Sequence, residues 1–274
     1  MHSAPGTEPW ASRDTPLLPV ARRLLRACLP RNTRFKAYFR MLETPVISDL
    51  YVRGRGRLRH RRVRASTRIV IEAFPSSGST FCRQALLLCN PDLDPAEVCS
   101  HTHTPRVVQQ AVRLGVPCIV IARDPRDAVA SMVQRFTGIH IDSAFDYYSR
   151  YYSSLLPVKK SFVVAPFARL TADVSSIVSQ CNQQFGVAFV TLADAGVTDD
   201  TVLRDIDRRE QASSGRALPE SMVSRPTSSR RSTKDVLQNL SAVETTAMNR
   251  ALDVYRQFID DAPSQPGPTV ETAA

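Results

Sequence analysis

The chain has 274 residues, enough for one substantial α/β domain, and its 43% hydrophobic content permits a real core. No apolar run approaches the ~18–20 residues a membrane span requires. Arg22, Arg23 and Arg26 interrupt residues 1–30 where a secretory leader would be continuous, so a cytoplasmic, soluble protein is expected. The net charge of +10 is concentrated: residues 1–66 hold 15 Lys and Arg against 4 Asp and Glu, and the remaining 208 residues are close to neutral. Such an arm either stays a solvated face or makes peripheral contact with an anionic acceptor, glycan or membrane surface. Nucleic acid is not an expected partner, because no aromatic residue interleaves the run Arg53–Arg64.

Residues 1–15 are rich in Pro, Ser, Thr and Gly and read as disordered. Leu17–Leu29 has helical apolar spacing, and Val52–Arg64 reads as a basic linker. Residues 1–66 are thus expected to form a basic, partly disordered N-terminal extension, with an α/β domain over 67–261 and a disordered tail over 262–274. The domain opens with a β-branched run, Arg68–Phe74, then a small-residue turn at Pro75–Thr80 and a helix at Phe81–Cys89, stopped by Asn90 and Pro91. After Pro95–Val98, a His-rich stretch and an amphipathic helix at Pro105–Leu114, the pattern repeats. Pro117–Arg123 reads as a strand, Asp124-Pro125 as a turn and Arg126–Phe136 as a helix.

Further on come a Tyr-rich helix at Ser143–Leu156 and a strand at Ser161–Phe167. A helix at Ala172–Phe185 follows, capped by Gly186. A fourth strand at Val187–Leu192, a helix at Asp199–Glu210, a long loop over 211–233 and a closing helix at Lys234–Asp260 complete the reading. Alternating strands and helices predict three layers: a parallel sheet of about four or five strands with helices on both faces. The six cysteines lie scattered, most among apolar neighbours, as reduced buried thiols do.

Two loops carry chemistry. Phe74-Pro-Ser-Ser-Gly-Ser-Thr-Phe81 joins a strand to a helix through a tight hydroxyl-rich turn, which directs backbone N–H groups and a helix dipole at one point. Gly78 would allow close approach of a phosphate. The loop lacks the lysine of a Walker A motif, and a plain Ser/Thr helix cap would account for it as well. Arg123-Asp-Pro-Arg-Asp-Ala-Val-Ala-Ser131 makes a well-formed helix start. It also leaves Arg123 at the carboxyl end of a buried strand, the edge where open α/β sheets bind ligands, and Arg can grip phosphate there in a forked contact.

Together, PSSGSTF and RDPRDAVAS resemble the two nucleotide-binding motifs of the PAPS-dependent sulfotransferase superfamily, in the same order, over roughly residues 68–260. The resemblance implies a P-loop-like nucleotide-binding fold and transfer of a sulfuryl group from 3′-phosphoadenosine-5′-phosphosulfate (PAPS) to a hydroxyl or amine of a small-molecule, glycan or lipid acceptor. It would place Ser76, Ser77, Gly78, Ser79 and Thr80 on the 5′ side, Arg123 and Ser131 on the 3′-phosphate, and Phe81 and Phe167 on the adenine. It would make His103 the catalytic base and put Arg230, in the late loop Arg225–Lys234, over the 3′-phosphate.

The family loop carries Lys or Arg where this chain has Ser76, so a catalytically impaired nucleotide-binding relative is the alternative. Another P-loop-type kinase or nucleoside triphosphate enzyme is the second. Cys99, His101 and His103 alternate, as zinc ligands on a strand could, but no fourth ligand has a matching spacing, and no metal is expected. The tyrosines at 147, 148, 151 and 152 read as core packing rather than acceptor contacts.

Overall fold

The computed structural model describes residues 29–44, 62–214 and 233–260. Its centre is a sheet of four parallel strands: β1 (Ile69–Ala73), β2 (Val98–Ser100), β3 (Cys118–Ala122) and β4 (Val163–Pro166), in the order β2-β1-β3-β4. Val70 pairs with Cys99 on one side and Cys118 on the other, and Ile121 pairs with Ala165. β1 and β3 are buried at every position, as a parallel strand covered on both faces must be.

The helices are α1 (Arg31–Glu43), α2 (Ser79–Cys89), α3 (Pro105–Leu114), α4 (Pro125–Arg135), α5 (Ile141–Ser153), α6 (Phe167–Ala172), α7 (Val174–Phe185), α8 (Leu192–Ala195), α9 (Asp199–Ser214), α10 (Thr233–Leu237) and α11 (Ala242–Ile259). The period-2 alternation of strand side chains divides the core in two. Val70, Cys99, Val120, Ala122 and Val164 face a layer built from α1, α3, α4, α5 and α11. Ile69, Ile71, Ala73, Val98, Ile119, Ile121 and Ala165 face α2, α6, α7 and α9. The protein is an α/β molecule with a helical layer on each face of its sheet.

α1 belongs to the first layer. Phe35 and Phe39 are each 1% exposed and pack on the Tyr147 ring, with centroids 6.0 and 3.9 Å away. Part of the expected N-terminal extension is therefore core. Residues 17–28 of the first expected helix, most of Val52–Arg64, the late loop with Arg230 and the tail lie outside the described residues.

Two expected elements differ. Val187–Leu192 is no strand; α8 begins at Leu192, and side-chain amides supply the backbone partners that a neighbouring strand would otherwise give. Asn90 bonds both N–H and C=O of Val190, at 2.9 and 3.0 Å, and Asn182 does the same for Phe189, at 3.0 and 2.7 Å. The fourth strand is instead β2, within what reads as a polar His-rich segment. The closing helix is two helices, because Ser241 and Glu244 form a capping box that starts α11 afresh.

Chain order around the sheet locates the candidate site. From β1 the chain crosses outward to β2, then returns past β1 to β3 and continues to β4. The direction of winding reverses between β1 and β3, and open α/β sheets bind ligands beyond the carboxyl ends of strands at such a reversal. The two sequence motifs follow those two strands.

Candidate functional site

The turn after β1 is tight and locally strained. Ser76 has φ 64° and Gly78, the residue preceding α2, has φ 92°. A Cβ at Gly78 would lie 3.0 Å from the Phe167 ring and 3.1 Å from Leu170; both the conformation and the space call for glycine. His101 and His103 have φ 60° and 53°, and with Ser76 they are the non-glycine residues with positive φ among those described. All three lie in loops leaving the adjacent strands β1 and β2, and unfavourable backbone conformations of this kind concentrate at functional sites.

Arg123 joins the loops. It leaves β3, donates from Nη1 to the Ser76 carbonyl at 2.9 Å, and lies over the Phe167 ring at 4.6 Å from the centroid. Phe167 opens α6 rather than ending a strand, and the same ring packs against Gly78. The structure thus brings Ser76, Gly78, Arg123 and Phe167 into one cluster at the carboxyl ends of β1 and β3.

Ser76 Oγ, Ser77 Oγ and Ser131 Oγ are buried; among the described residues Ser76 Oγ and Ser131 Oγ have no hydrogen-bond partner, while Ser77 lies beside the Tyr152 phenol. A buried hydroxyl without a partner is costly and rare, so these are candidates for contact with a ligand. Ser131 sits two turns into α4 at 3% exposure. Ser79 is buried, and Thr80 and Phe81 are half-buried on the first turn of α2. Asp124 caps α4 and pairs with Arg126 at 2.6 Å. Burial would raise its carboxyl, but the Arg126 hydrogen bonds and charge outweigh that and hold it below its usual range. Arg83, the basic residue nearest the loop on α2, is committed to the Pro95 carbonyl at 3.0 Å.

His103 is buried, and its Nδ1 lies 2.9 Å from the Ala73 carbonyl. A carbonyl can only accept, so Nδ1 carries the ring hydrogen and Nε2 the lone pair in the neutral ring. His101 bridges two hydroxyls, Ser100 Oγ at 2.8 Å from Nδ1 and Thr80 Oγ1 at 3.0 Å from Nε2. Among the described residues no cluster of His, Cys, Asp and Glu could hold a metal ion.

No protein-family model matches the chain. Nor does any curated protein.

Two groups of residues build this site without announcing themselves in the sequence. Glu72 sits inside β1 at 0% exposure and accepts from Thr102 N and Oγ1, both at 2.8 Å, and from His103 N at 3.0 Å. Burial pushes its carboxyl up to about 7, the hydrogen bonds from Thr102 and His103 pulling the other way. It ties the histidine loop to the strand that delivers the Ser-rich turn. A carboxylate inside a β-branched run is the signal that could have found it.

The tyrosines of α5 are the second group. Their rings are core, but three hydroxyls brace the loops. Tyr147 donates to the His103 carbonyl, Tyr148 to the Arg123 carbonyl at 2.6 Å, and Tyr152 to the Ile121 carbonyl at 2.7 Å while accepting from Phe74 N at 3.3 Å.

Proposed function

We propose that this chain is a PAPS-dependent sulfotransferase with a P-loop-like nucleotide site at the carboxyl ends of β1 and β3. The observation that carries the reading is the junction of its two motifs: the Arg123 guanidinium reaches the Ser76 carbonyl at the edge where buried Ser76 Oγ lacks a partner among the described residues. A doubly phosphorylated adenosine suits such a site, since hydroxyls and first-turn N–H groups offer donors at one loop and a guanidinium adds a fixed charge beside it. Ser76 to Thr80 would hold the 5′ side, Arg123 and Ser131 the 3′-phosphate, and Phe81 and Phe167 the base.

Bound there, PAPS would supply a sulfuryl group already attached to a phosphate leaving group. His103 Nε2 would take the proton of the acceptor hydroxyl while Nδ1–H stays anchored on Ala73 O, so the ring keeps its orientation as it charges. A hydroxyl or amine on a small molecule, glycan or lipid is the acceptor class, and the basic N-terminal residues would draw anionic acceptors or surfaces toward the site.

Thermal-shift titration separates this from a nucleoside triphosphate enzyme: adenosine 3′,5′-bisphosphate is expected to stabilise the chain and ATP to do so far less. A preference for ATP ends the reading. Ser76 favours a second reading, a relative that binds the nucleotide and transfers slowly, because sulfuryl transfer leaves charge on a phosphate that a serine cannot neutralise and Arg83 is engaged elsewhere. Under that reading Ser76→Lys raises transfer of labelled sulfate; under the first, wild type transfers it unaided.

A further inference from the structure

The loop after β2 holds a histidine that the reaction above does not use. His101 lies between Ser100 Oγ on Nδ1 and Thr80 Oγ1 on Nε2. The distances alone do not say which atom donates. Burial does. Ser100 is 0% exposed, and among the described residues the His101 ring is the one hydrogen-bond partner of its hydroxyl. Were the ring hydrogen on Nδ1, the Ser100 hydrogen would be left inside the core with no acceptor, the costly arrangement for a buried donor. Ser100 therefore donates to Nδ1.

A neutral imidazole carries one ring hydrogen, which then sits on Nε2 and points at Thr80 Oγ1. With its oxygen accepting from His101, Thr80 must direct its own hydrogen elsewhere. Thr80 is the second residue of α2, on the turn whose backbone N–H groups have no partner within the helix. The neighbouring His103 is fixed the opposite way by the Ala73 carbonyl, with Nδ1 protonated and Nε2 bearing the lone pair. The two rings lie 6.1 Å apart, one set as a donor and the other as an acceptor.

We propose that the Ser100–His101–Thr80 relay presets the Thr80 hydroxyl as a hydrogen-bond donor to a phosphate held by the 75–80 loop, which makes His101 a positioning residue for the nucleotide. This rests on the reading of that loop as a phosphate cradle. The relay supplies a donor without a charge, at a loop whose second residue, Ser76, brings none.

Two measurements on the full chain test it. Nitrogen-15 NMR of the histidine rings near neutral pH should find His101 protonated at Nε2 and His103 at Nδ1. A His101 ring protonated at Nδ1 overturns the proposal without touching the sulfotransferase reading. In calorimetric titration with adenosine 3′,5′-bisphosphate, Thr80→Val and His101→Leu should each weaken binding about three- to tenfold, the worth of one net hydrogen bond. The double variant should lose no more than either alone, and His101→Gln, which keeps an N–H near the old Nε2, should bind within about twofold of wild type. Losses that simply add mean two independent effects and no relay. If wild type binds no bisphosphate at all, the cradle reading fails, and this proposal falls with it.

Discussion

Arg123 has one role in the fold and one proposed role toward a ligand. Its guanidinium braces the Ser76 carbonyl and stacks on Phe167, and it is the charge that would meet a phosphate. Arg123→Ala is expected to weaken adenosine 3′,5′-bisphosphate by about 2–4 kcal/mol, the range for losing a desolvated charged contact. Unchanged affinity by calorimetry would reduce the residue to a loop brace. At Gly78, φ 92° and the 3.0 Å approach to Phe167 predict that Gly78→Ala destabilises the fold by about 1–3 kcal/mol in urea unfolding; a neutral result would mean the turn relaxes freely. His103→Ala should abolish sulfate transfer while leaving bisphosphate affinity within about twofold, and surviving turnover would assign the base elsewhere. Arg123 and Gly78 stand out in the sequence because a cation at a strand end and a glycine before a helix are local patterns. Glu72 does not, because its partners at 102 and 103 are distant in the chain and only the folded sheet brings them together.

The elements follow the same division. β1, β3 and β4, and the helices after β1 and β3, match the apolar runs and breakers that predict them, since a buried parallel strand needs only a short β-branched run; α6, directly after β4, occupies residues where the sequence reads strand end and connection. Val187–Leu192 has such a run and is no strand, because Asn90 and Asn182 occupy its backbone groups first. β2 is three residues long and ends in polar Ser100, too short for a periodicity to appear. α5 shows what a pattern can and cannot say. Tyrosines at i, i+1, i+4 and i+5 mark a buried face, and the rings are buried. Which carbonyls their hydroxyls find is decided by packing. Tyr148→Phe removes the bond to the Arg123 carbonyl and should cost about 1 kcal/mol of stability. It should also weaken the bisphosphate measurably; a loss of stability with affinity untouched would show that Arg123 does not depend on this brace.

Across the whole molecule, the buried carboxyl of Glu72 imposes a pH dependence. Burial raises it to about 7, against 4.5 for the unconstrained group. Between those values the folded chain keeps a proton that the unfolded chain has released, so this contribution is fully present below about pH 4.5 and is lost as the pH rises through 7. The whole change is on the order of 3 kcal/mol. Urea unfolding should show the wild type losing stability between pH 5 and pH 8, with a flatter profile in Glu72→Gln, whose side chain stays neutral. Parallel profiles would place the dependence on another group. Described residues contain no helix long and apolar enough to cross a membrane.

The N-terminal helix links charge to architecture in a way that composition hides. Net charge draws a boundary at residue 66, yet Phe35 and Phe39 press on the same Tyr147 whose hydroxyl holds the carbonyl of His103. A shortened chain beginning at residue 67 would bare one side of that phenol to solvent and slacken the loop behind it. Its defect would surface first in the histidine's alignment, far along the chain from the cut.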